Sequence, residues 1–176
     1  MVRAVSVKLV AANANAEWQD AMALIQELID WDVGECEKLG FERADVIRAF
    51  YPDGINDICR CSAAPGGCFL IASDQSYPAG CAGYRPLEGA TCELYNVYVR
   101  ANYRGGGIGA LLLRGLQRTA VAAGYRTMYL QTASFMKDAH RLYRSLRFET
   151  VESYRPVAAR FASVTISMRC ALACLG

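Results

Sequence analysis

At 176 residues, with 53% apolar and 20% charged side chains, the chain has the length for one globular domain with a real core and is too apolar for a disordered one. A net charge of +2 without a long Lys/Arg block speaks against nucleic-acid binding. No apolar run approaches the ~18 residues of a membrane span.

The N-terminal residues 2–11 alternate apolar and polar and read as a first strand, not a secretory signal. Asn15 can cap a helix beginning near Glu17, and Trp18, Met22, Ile25, Leu28 and Ile29 carry its apolar face to about Trp31. A second helical stretch runs from Gly34 to about Phe50, with Gly40 as its break. Turn signals crowd residues 51–67. Strands follow at 68–73, 80–85 and 91–100, then a helix at 107–123 with Gly124 as its C-cap. A strand at 127–132, a helix at 135–146 and strands at 148–154 and 162–170 complete the chain. The order predicts an α/β (α+β) domain spanning residues 1–176: one mixed, mostly antiparallel central sheet flanked by helices.

Eight cysteines lie at 36, 59, 61, 68, 81, 92, 170 and 174. Cys59 and Cys61 form the one tight pair, no C-x-x-C occurs, and His140 is the single histidine, so no metal site is expected. Cys68, Cys81 and Cys92 fall in or beside strands and read as buried, reduced thiols. With the missing signal, this points to the cytoplasm.

The segment from Val97 to Gly109 carries the most chemistry. Val97, Tyr98 and Val99 end a strand, Arg104, Gly105, Gly106 and Gly107 form a turn, and Ile108 and Gly109 open a helix. Such a turn offers bare backbone N–H groups and a helix dipole to an anion, and glycine allows close approach. Arg104 stands at its mouth, with Arg100 nearby. The lysine-type phosphate loop is excluded, because no Gly-Lys-Ser or Gly-Lys-Thr occurs. The dinucleotide fingerprint is also excluded: Gly105, Gly107 and Gly109 are spaced by two.

The pattern Arg104-x-x-Gly107-x-Gly109 resembles the pyrophosphate-binding motif of the GNAT family of N-acetyltransferases. The later run Ala139-x-x-Leu142-Tyr143 followed by Phe148 is similar to the family's next helix. The resemblance covers about Gly80 to Tyr154. It implies the acyl-CoA N-acyltransferase fold and acetyl-CoA as co-substrate, with no metal. It also implies that two strands splay to admit pantetheine, which would meet the main chain at Val97 and Val99, with Tyr98 between them and Ala139 close by. Asn96 and Tyr98 would face the other way unless a bulge intervenes.

By the same resemblance, Glu93 is the candidate base, on one face with Tyr95, Val97 and Val99 by simple alternation, and Tyr143 is the candidate acid for the departing thiolate. His140 is an alternative base, and Tyr84, Arg85 and Tyr154 are candidates for the acceptor pocket. Arg147 stands where the family usually has glycine. The implied reaction is direct acetyl transfer, in a ternary complex, to the primary amine of a small molecule. Acetylation of a protein Lys or N-terminus, or a catalytically silent acyl-CoA-binding regulatory domain, are the alternatives. No nucleic-acid or membrane partner is expected. Homodimers are common in the family, and no residue decides the point.

Overall fold

The computed structural model describes residues 5–9, 15–52, 54, 56, 64–75 and 77–172. Cys59, Cys61 and Cys174 lie outside them. Strand β1 (Val5–Leu9) is followed by helices α1 (Asn15–Lys38) and α2 (Arg43–Phe50). Then come β2 (Cys68–Asp74), β3 (Tyr77–Pro86), β4 (Thr91–Val99), α3 (Ile108–Ala122), β5 (Thr127–Ala133), α4 (Lys137–Ser145), β6 (Glu149–Val151) and β7 (Thr165–Ala171). The sheet has seven strands in the order β1-β2-β3-β4-β5-β7-β6. Every pairing is antiparallel except that of β4 with β5, which is parallel.

Strand alternation sorts side chains into two cores. Cys68, Leu70 and Ala72 of β2 pack with Leu112, Leu113 and Leu116 of α3 on one face of the sheet. Phe69 and Ile71 of the same strand pack with Leu24, Ile25 and Val33 of α1 on the other. Cys36 of α1 and Cys68, Cys81, Cys92 and Cys170 of the sheet are buried free thiols that pack as small apolar fillers.

Several boundaries differ from expectation, among them the start of β3 at Tyr77 and the end of β6 at Val151, and two of the shifts have a clear physical cause. The first helix does not stop near Trp31; it continues through Gly34 to Lys38. An isolated glycine in a helix costs only about 1 kcal/mol, and Val33 and Cys36 extend the buried stripe across it. The break falls at Gly40, whose φ of +86° only glycine adopts without strain. The last strand begins at Thr165 because residues Ala159–Val164 form a 3-10 turn, with Phe161 buried beneath α2 against Phe41 and Phe50.

Arg147 has φ +67°. It closes α4 in the turn where Phe148 N–H donates to the Tyr143 carbonyl at 3.0 Å. A side chain in that conformation costs roughly 1 kcal/mol. Arg147→Gly should therefore raise the thermal midpoint by about 2–4 °C for a chain of this size; a lowered midpoint in a melting experiment would show that contacts of the arginine outweigh the strain.

Candidate active site

Between β4 and α3 the chain makes a 3-10 turn (Ala101–Tyr103) and then the glycine turn. Gly105 and Gly107 have φ of +77° and +82°. Arg104 N–H donates to the Ala101 carbonyl at 3.2 Å, and the next backbone donor in sequence is Leu111, to Gly107 at 3.0 Å. Among the described residues, the amides of 105–110 make no well-aligned hydrogen bond to the protein, and no side chain caps α3. This is the polar inventory an anion requires. A Cβ on Gly109 would stand 2.8 Å from Leu142 Cδ2, so this glycine lets α4 close against the start of α3.

The two arginines behave differently from each other. Arg104 is exposed; its Nε donates to the Val99 carbonyl at 2.9 Å and its guanidinium lies 5.6 Å from the Trp31 ring centroid. Arg100 is not available to the cradle, contrary to expectation. It is held by Glu27, with Nη2 to Oε1 at 2.6 Å, and by the Pro78 carbonyl. That guanidinium holds the Glu27 carboxyl below its usual value. Arg100 thus ties α1 to the end of β4.

The parallel ladder of β4 and β5 covers only Thr91–Glu93 against Thr127–Tyr129. Beyond it the strands separate, and a cleft of about 140 Å³ opens between residues 94–97 of β4 and 130–133 of β5. Leu28, Asp32 and Cys36 of α1 and Tyr143 of α4 also line it.

A bulge sits in this stretch of β4. Cys81 pairs with Tyr98 but Gly83 pairs with Tyr95, and Asn96 has φ +51°. The extra residue inverts the alternation. Cys92 and Leu94 before the bulge, and Val97 and Val99 after it, all pack on the α3 face. Tyr95 and Tyr98 pack on the α1 face. Glu93 therefore does not share a face with Val97 and Val99, as simple alternation would have it.

Glu93 is 1% exposed and fully occupied. Its Oε2 accepts from Arg85 Nε and Nη2, both at 2.8 Å; its Oε1 accepts from Arg155 Nε at 2.9 Å and the Tyr154 hydroxyl at 2.5 Å. That uses the roughly four lone-pair sites of a carboxylate. Arg85 and Tyr154, both candidates for the acceptor pocket, thus meet at Glu93. Tyr84 does not: it is buried on the α3 face against Tyr125.

Tyr143 is buried, 5.8 Å from the Phe148 ring, and burial raises its phenol well above the usual value. His140 is also buried; its Nε2 lies 3.0 Å from the Ala133 carbonyl, and burial lowers its pKa. The histidine is absent from the cleft lining, so a place beside the reacting amine is not where the fold puts it. Ala139 packs against the α3-face core.

One cleft residue escaped the sequence reading. Asp32 stands one helical turn from Leu28 and one from Cys36, inside the buried stripe of α1, and is 6% exposed. Tyr51 donates its hydroxyl to Asp32 Oδ2 at 2.8 Å, while Oδ1 is buried without a hydrogen-bond partner. Burial raises the Asp32 carboxyl above its usual range; Tyr51 opposes the shift and Glu35 adds to it. The signal was legible: a carboxylate at an i, i+4 position of an otherwise apolar stripe.

A seven-stranded mixed sheet, parted between its parallel pair beside a glycine cradle, defines an acyl-CoA N-acyltransferase. The model of the acetyltransferase (GNAT) family matches residues 23–148, and the chain belongs to that family. An uncharacterized N-acetyltransferase of Schizosaccharomyces pombe is 30% identical over 156 residues, 88% of this chain and 90% of that protein. The crystal structure of an acetyltransferase from Streptococcus agalactiae superposes with TM-score 0.71 at 19% identity, covering 95% of this chain and 98% of that one. The PaiA N-acetyltransferase from Thermoplasma acidophilum, solved in complex with coenzyme A, gives TM-score 0.71 at 13% identity, covering 96% and 99%. The protein is thus an acyl-CoA-dependent N-acetyltransferase, and the family acts on amine acceptors.

Proposed function

We propose that this enzyme transfers acetyl directly from acetyl-CoA to the primary amine of a small molecule, with both substrates bound at once. The observation that carries the reading is the row of amides at 105–110, without well-aligned protein acceptors, leading into the gap between β4 and β5, with the Tyr143 phenol in its wall. In this reading the diphosphate takes the amides of Gly105, Gly106, Gly107, Ile108 and Gly109, with Arg104 swinging from Val99 to add a charge-assisted contact. Pantetheine follows the open edge of β4 at Val97, Tyr98 and Val99, with Ala139 flanking it. A cleft of about 140 Å³ suits a compact acceptor. Bringing amine and thioester together there supplies proximity.

Tyr143 then serves the departing thiolate as acid. Glu93 is the proposed base, acting through a water once the partly exposed Arg155 or Tyr154 releases one carboxylate oxygen. Thiol release from acetyl-CoA, assayed with a panel of small primary amines, tests the function; coenzyme binding with no turnover on any acceptor would favour a silent acyl-CoA sensor. In the same assay Glu93→Gln should lower kcat while leaving coenzyme affinity unchanged. Turnover within about twofold of wild type would assign Glu93 to scaffolding of Arg85 and Arg155.

A further inference from the structure

We propose that Asp32 is the seat of the acceptor's ammonium group, so that the enzyme selects cationic amines through the free oxygen Oδ1. The inference rests on the acetyltransferase reading and names how that site recognises its second substrate. Three observations converge on it. Asp32 interrupts the apolar stripe of α1 at a position where Ile25, Leu28, Val33 and Cys36 around it are buried. It lines the cleft between the parted strands. Its Oδ2 is fixed by Tyr51, which leaves Oδ1 buried with no protein donor.

A buried carboxylate without a counter-charge is costly unless something supplies one. Among the described residues, no Lys, Arg or His forms an ion pair with Asp32. The titratable groups coupled to it electrostatically are Glu35, Cys36 and Tyr51. The Cys36 thiol is pushed up to about 12, chiefly by burial, and stays neutral. Arg155, which also lines the cleft, is engaged with Glu93. The wall around Asp32 therefore lacks one positive charge, and an alkylammonium with its N–H donors supplies both charge and hydrogen bonds.

A purely structural role predicts the opposite behaviour in stability. Burial raises the carboxyl pKa of the folded protein, so the folded state holds this proton more tightly than the unfolded chain does. An ionised Asp32 then detracts from stability at neutral pH, and the penalty fades as pH falls through the folded pKa. Asp32→Asn should keep or raise the thermal midpoint at neutral pH.

The test uses the full chain saturated with coenzyme A, and n-butylammonium and n-butanol as probes of matched shape, followed by NMR shift titration. Wild type should bind the ammonium at least about tenfold more tightly than the alcohol, and Asp32→Asn should bring the two within about twofold. Tyr51→Phe should keep the preference, since Oδ1 is untouched. Equal binding of the two probes by wild type, no binding of either, or a preference that survives Asp32→Asn would overturn the proposal. A lowered midpoint in Asp32→Asn with the preference intact would assign the residue to structure. Calorimetric titration with coenzyme A separates the two readings: loss of coenzyme binding sinks the transferase reading, whereas failed ammonium recognition with intact coenzyme binding sinks this one alone.

Discussion

Gly107→Glu should weaken coenzyme A binding by at least about a hundredfold, roughly 3 kcal/mol, and leave a folded protein. The backbone there has φ +82°, so any side chain adds about 1–2 kcal/mol of strain. A Cβ at this position meets nothing within 4 Å, so the glutamate has room and the core is undisturbed. Its charge, however, stands among the amides assigned to the diphosphate. Even at an effective dielectric near 20, two like charges 4 Å apart repel by about 4 kcal/mol. Gly107→Ala provides the control: it carries the same backbone strain without the charge and should lower the thermal midpoint while holding coenzyme affinity within about tenfold. Calorimetry on both variants decides the matter. Equal affinity in Gly107→Glu and wild type would mean that the diphosphate rests elsewhere.

Tyr143→Phe should lower kcat about a hundredfold, with kcat/KM falling in parallel and coenzyme affinity unchanged. The phenol is buried, and burial holds it protonated through neutral pH. A thiol of the usual kind titrates near 8.5, which makes proton donation from such a phenol uphill in water. The same dry surroundings penalise the thiolate, so both groups rise together and the transfer stays close to balanced. Phenylalanine retains the contact with the Phe148 ring at 5.8 Å. Stability should therefore stay level, which separates lost chemistry from lost fold. Turnover within twofold of wild type would remove Tyr143 from the reaction.

Period and turn chemistry made much of the architecture readable in advance. Strand alternation in β2 sorts Cys68, Leu70 and Ala72 from Phe69 and Ile71, and the two sets occupy opposite cores. The glycine turn and the start of α3 could be located because glycine at positive φ is a local property. What could not be read depended on partners distant in the chain. Arg100 looked like an anion ligand until Glu27, 73 residues away, claimed it. Alternation assigned Val97 and Val99 to the face of Glu93, and a single residue at positive φ, Asn96, reversed that parity. Asparagine tolerates the left-handed region better than most residues, yet nothing adjacent to it marks a bulge. Gly34 reads as the start of a second helix, but burial of Val33 and Cys36 on either side carries the first helix through it.

The parallel ladder between β4 and β5 is three residues long on each strand. On one side of it stand four strands, on the other three, so the molecule is built like a clothes-peg whose spring is that short seam. A ligand laid in the jaws adds the stitches that the seam omits, and each is present in the folded protein only. If coenzyme lies in that gap as proposed, it is a structural tie as well as a reactant, and its concentration should set how firmly the two leaves hold together.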